Sequence, residues 1–149
     1  MMTKLLRSFS SRSLLALAAL AVVLTPQALK AQCPQGNATM NGTYEVSGSG
    51  TVAGVGPIAV VGEVTYNGDG TGVTVSSTVS VNGATAKTSG VAATFTVNSD
   101  CTGSKTFGSG PSAQHYDFVI TPDGSKITWI VTDNGVVLMG SALRFSRGA

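Results

Sequence analysis

The single histidine stands two residues before a carboxylate, in His115-x-Asp117. On an extended strand, residues i and i+2 share a face, so the carboxylate is spaced to orient the imidazole as a general base. Serines are plentiful, but none lies in a G-x-S-x-G elbow between a strand and a helix, so a hydrolase triad lacks its nucleophile. Glu45 and Glu63 are the next candidates, because paired carboxylates carry out glycoside hydrolysis. That chemistry needs a long cleft, and a small chain full of tight turns does not supply one. Both pairs read more simply as solvated side chains on an outer strand face. The run Asn67-Gly68-Asp69-Gly70 has turn glycines without the repeated acidic ligands of a calcium loop. Two cysteines and one histidine cannot furnish an all-protein zinc site. The expectation is therefore no catalytic residue, no metal and no cofactor, with the balance against an enzyme.

The first 31 residues contain no glycine, although the whole chain of 149 has 19. Lys4, Arg7 and Arg12 form a basic leader, Leu14 to Leu24 is unbrokenly apolar, and Thr25-Pro26 ends the run. That three-part order reads as a secretory signal peptide, with cleavage expected after Ala31; the apolar run is too short to span a bilayer with ease, and an uncleaved N-terminal anchor is the alternative. The precursor's formal charge of +2 belongs to this leader. Without it, Lys87, Lys105, Lys126, Arg144 and Arg147 face seven carboxylates, a net charge of −2. These five cations are scattered, so nucleic acid is not an expected partner. The expected location is secreted or periplasmic. In an exported chain Cys33 and Cys101 are most simply one disulfide, tying the N-terminal segment 32–42 to the Asp100-Cys101-Thr102-Gly103 turn.

The elements that must position these groups are all β. Short β-prone runs are Thr43 to Ser47, Ile58 to Tyr66, Thr71 to Val81, Ala84 to Val97, Ser104 to Phe107, His115 to Thr121, Lys126 to Thr132 and Val136 to Phe145. Turn signals such as Asn82-Gly83, Pro122-Asp123-Gly124 and Asp133-Asn134-Gly135 separate them. Connections this short force antiparallel pairing of neighbours. A meander closes first strand to last only with an even strand count. The expectation is an eight-stranded antiparallel up-and-down barrel over 43–145, with Ala84 to Val97 bent at Gly90 and a flexible tail at 146–149. A second turn at Ser89-Gly90 would give nine strands, and a β-sandwich of the same hairpins is the alternative fold.

Period 2 assigns Tyr44, Val46, Ile58, Val60, Val64, Tyr66, Val73, Val75, Val79, Phe95, Val97, Tyr116, Phe118, Ile120, Ile127, Trp129, Val131, Met139 and Leu143 to the inner face. His115, Asp117, Glu45 and Glu63 fall outside among threonines. A barrel of this size either fills its interior or leaves room for one small ligand. Gly48, Gly62, Ser77, Ala93 and Ser141 are small mid-strand residues that either interdigitate with the bulky ones or line a pocket. The candidate binding residues, all assigned to the interior, are Tyr44, Ser77, Tyr116, Phe118, Trp129, Met139 and Ser141. An outer-membrane barrel needs strands of about 9 to 11 residues and aromatic girdles. Several runs here are shorter and no girdles are present, so no stable membrane insertion is expected once the signal is removed.

Gly42-Thr43-Tyr44, then Gly68-Asp69-Gly70-Thr71-Gly72, then Asp100-Cys101-Thr102-Gly103 and a closing hairpin resemble small exported bacterial proteins of unknown function. Their predicted shape is similar to the allene oxide cyclase barrel, a calycin-like closed sheet. The resemblance spans about Cys33 to Phe145 and rests on turn motifs. It implies the barrel. Plant cyclases bind a lipid-derived epoxide inside theirs, but none of their cavity residues matches a position here, so the activity is not implied. The functional expectation is an exported binding or surface module for a small apolar ligand. The alternatives are an isomerase or cyclase acting in the cavity, and a purely structural or adhesive protein.

Overall fold

The computed structural model describes residues 32–148; the segment 1–31, where a signal peptide is expected, lies outside them. The strands are β1 (Asn41–Val52), β2 (Gly56–Asn67), β3 (Thr71–Val81), β4 (Ala84–Thr88), β5 (Ala92–Val97), β6 (Thr102–Phe107), β7 (Gln114–Ile120), β8 (Lys126–Val131) and β9 (Val136–Ser146). Every pairing is antiparallel, and eight of them form a closed ring in the order β1-β2-β3-β5-β6-β7-β8-β9. β1 pairs with β9 and closes the barrel, as the even count requires.

β4 is the strand outside the ring. The segment 84–97 divides at Ser89-Gly90-Val91, yet its pairing with β3 keeps one register across the break: Val81 faces Ala84, Ser77 faces Thr88 and Val73 faces Ala92. Gly90 takes φ 71° and its N–H donates to the Thr74 carbonyl. The expected bend at Gly90 is therefore present, but only the half beyond it joins β6. All five residues of β4 are exposed.

Simple alternation fails at two places, one of them a bulge. Between β2 and β3, Glu63 faces Ser76 while Val64 faces Thr74, leaving Val75 as an extra residue. Thr74 is buried before the bulge, Ser77 turns inward after it, and Val73 and Val75 are exposed, against expectation. In β9 the inward residues are Leu138 and Ala142, so Met139 and Leu143 lie outside, more than half exposed. A one-residue slip moves every side chain to the other face. Bulk is misleading here, because β9 must present small residues to Trp129. A Cβ on Gly140 would stand 2.5 Å from Trp129 Cζ2, and one on Gly48 of β1 would collide with the same ring. This also extends β1 to Val52, beyond Ser47: its glycines are strand residues over which a ring passes.

The barrel has a closed end and an open end. At the closed end, the 3-10 turn Gly36–Thr39 and Met40 cover the interior. Asn37 Oδ1 accepts the Val97 N–H, the Cys33 N–H donates to the Ser99 carbonyl, and Cys33 is bonded to Cys101. Beneath this plug Tyr44, Tyr66 and Phe95 meet edge to face, with ring centroids 5.5 and 5.3 Å apart.

Candidate functional site

Towards the open end the interior is not filled. A cavity of about 320 Å³ is walled by Val46, Val60, Val64 and Val79, by Phe107, Tyr116 and Trp129, and by Thr74 and Ser77. Its lips are Thr88 and Val91 at the β4–β5 break, Gly108 and Ser112 in the β6–β7 connection and Gln114 at the start of β7. Tyr116 Oη donates to Gln114 Oε1 at 2.8 Å, fixing one side of the mouth.

Lys105 sits in the cavity wall. It lies on β6, opposite Phe95 on one side and Tyr116 on the other, and is 3% exposed. Its Nζ stands 5.8, 5.6, 5.3 and 5.5 Å from the ring centroids of Tyr66, Phe107, Tyr116 and Trp129. The one hydrogen bond found for it among the described residues is to Tyr66 Oη, at 3.3 Å. Burial alone pushes its amine down to about 7, because the charged form loses its water. Desolvation also raises the Tyr66 hydroxyl and pushes Tyr116 up to about 12, so both stay protonated near neutrality. Aromatic faces attract a cation, but they do not replace a carboxylate. The indole N–H of Trp129 is buried without a partner.

Sequence reasoning counted Lys105 only among scattered cations. The available signal was parity: Phe107 is apolar, and on a strand Lys105 shares its face. A four-residue run is too short for that alternation to stand out. Of the candidate binding residues, Ser77, Tyr116 and Trp129 line the cavity. Tyr44 and Phe118 are inside but buried in packing, Tyr44 Oη donating to the Gly124 carbonyl at 2.7 Å. Met139 and Ser141 are not inside: Met139 is 58% exposed and Ser141 faces Ser47 and Thr128 on the outward side. Both alternatives for the small residues occur, since Gly48 seats Trp129 whereas Gly62 and Ser77 border the open space.

The exterior pairs resolve differently. His115 Nδ1 lies 2.7 Å from Asp133 Oδ1 and the His115 N–H donates to Oδ2, so the imidazole's partner is Asp133 and not Asp117. These two bonds hold the Asp133 carboxyl below its usual range. The pair staples β7 to the turn after β8 on the solvent side. Glu45 and Glu63 face each other across β1 and β2 at a shallow exterior depression. Among the described residues, no three His, Cys, Asp or Glu side chains are grouped to hold a metal.

No protein-family model, curated protein or solved structure matches the chain.

Proposed function

We propose that this protein is an exported, non-enzymatic binding module whose barrel holds one small, largely apolar molecule. The observation that carries the reading is the cavity of about 320 Å³ beside Lys105, whose apolar lining is mainly valines and aromatic rings. Ligand sites have this character: an apolar lining with very few polar groups that fix orientation. The Cys33–Cys101 bond is compatible with export, since disulfides persist in oxidising compartments. Likeness to the allene oxide cyclase-like, calycin-like barrels adds support of shape only. Lys105 beside Tyr66 is the observation that favours the second reading, an isomerase or cyclase acting in the cavity; it supplies one amine and a phenol that burial holds protonated, with no carboxylate or imidazole beside them.

Trp129 is the sole tryptophan and lines the cavity, so it reports occupancy directly. Titration with N-phenyl-1-naphthylamine, a small neutral dye, is expected to quench Trp129 saturably and to brighten the dye. Val79→Phe, which places a ring in the open space, is expected to weaken that binding about tenfold or more, a loss of roughly 1.4 kcal/mol. No saturable change, or equal binding by Val79→Phe, would contradict the reading.

A further inference from the structure

We propose that Lys105 is a covalent capture site: its amine forms a reversible imine with an apolar aldehyde that enters the barrel. The inference rests on the cavity reading above and names its ligand class. Three structural observations carry it. The amine belongs to the cavity wall, is almost wholly buried, and has one hydrogen-bond partner, Tyr66 Oη. No carboxylate or second cation among the described residues acts on it; the titratable groups packed against it are Tyr66 from β2 and Tyr116 from β7. Four aromatic faces surround the nitrogen.

A lysine held without a counter-ion in an apolar site is well suited to be a neutral nucleophile, the state that attacks carbonyl carbon. Hydrogen-bond accounting agrees. An ammonium donating to Tyr66 Oη leaves the phenolic proton without an acceptor, whereas a neutral amine accepts that proton with its lone pair. The lowering of the amine to about 7 points the same way. A carboxylate ligand would instead bring its own charge into a largely apolar chamber.

The step balances without an oxidant or reductant. The nitrogen lone pair, released by the Tyr66 hydroxyl as the aldehyde enters, forms the C–N bond as the carbonyl π pair moves to oxygen, and a proton passes from nitrogen to that oxygen to give the carbinolamine. Loss of water then leaves the C=N bond. The protonated phenol of Tyr66, 3.3 Å from Nζ, is the nearest group able to hydrogen-bond the departing hydroxyl. A protonated imine formed there stays within reach of the four ring faces, which favour a cation.

The test uses the folded chain lacking residues 1–31, in which Lys87, Lys105 and Lys126 are the lysines. 2-Naphthaldehyde, 2-naphthylmethanol and 2-naphthoate are compared as displacers of N-phenyl-1-naphthylamine, and the aldehyde is also trapped with cyanoborohydride at pH 7. Peptide mapping is expected to place the naphthylmethyl mass gain on Lys105, about tenfold or more over Lys87 or Lys126. The adduct is expected to vanish in Lys105→Met, with folding checked by circular dichroism, and to form several-fold more slowly in Tyr66→Phe. Displacement by the aldehyde with no preference for Lys105 would overturn the imine and leave the cavity reading standing. Tighter binding of the naphthoate without an adduct would do the same. Failure of the dye and all three compounds to bind would overturn both.

Discussion

Lys105 is an unfavourable residue for the empty barrel, and that is measurable. Folded Lys105 releases its proton near pH 7, whereas an unfolded lysine keeps it to about 10.4. Between those values the unfolded chain binds the extra proton, so this group makes stability rise with pH from about 7 to 10; below 7 both states are protonated and the penalty is constant. Lys105→Met is therefore expected to stabilise the ligand-free protein at pH 6 by about 1 to 4 kcal/mol, with the gain shrinking towards pH 10. Urea denaturation of both proteins at the two pH values checks this. Equal stability at pH 6 would mean that the amine is not held dry and unpaired. At the same scale, three turns show how one chemistry is reused. Asp69, Asp100 and Asp123 each accept the N–H of the residue two ahead, Thr71, Thr102 and Ser125. Gly70, Cys101 and Gly124 fill the position between with positive φ. Cysteine replaces the easier glycine where the turn must also carry the bridge to Cys33.

At the scale of elements, the plug and the disulfide form one unit. Cys33 and Met40 are buried against the closed end, and Asn37 and Cys33 add backbone bonds to the β5 edge and the turn after it. Bridging residues separated by 68 positions removes loop entropy from the unfolded chain, worth up to about 4 kcal/mol in the chain-entropy model. The Cys33→Ser, Cys101→Ser double variant is expected to lose stability towards that figure in urea and to lose part of its near-ultraviolet signal as Tyr44 and Tyr66 loosen. Retention of full stability would show that the plug holds without the bridge. Strand existence, antiparallel order and the bend at Gly90 were legible because alternation and turn residues are local properties of the chain. Face assignment failed where the cause is nonlocal: the bulge at Val75 depends on β2, and the small inner face of β9 depends on Trp129 of β8. Lys105 was illegible for a related reason, since its position is fixed by flanking β5 and β7 and not by its own short run.

For the whole molecule, one barrel is organised as two chambers. A packed aromatic core under the plug gives way to an open chamber, and Lys105 stands at the boundary between the tyrosine cluster and the mouth. The outward apolar residues Val61, Ile130, Val137, Met139, Leu143 and Phe145 lie on the opposite side of the wall from this chamber. Residues 32–149 carry five Lys and Arg against seven carboxylates, so the barrel itself presents no basic surface. The central claim, that the open chamber is a ligand site, is tested most directly by the mass of the protein purified from its producing cells, measured under native and denaturing conditions. The expected result is a denatured mass matching residues 32–149 with the disulfide intact. The native protein should carry an additional small mass, absent from Val79→Phe. A native mass equal to that of the bare chain in every preparation would contradict the claim.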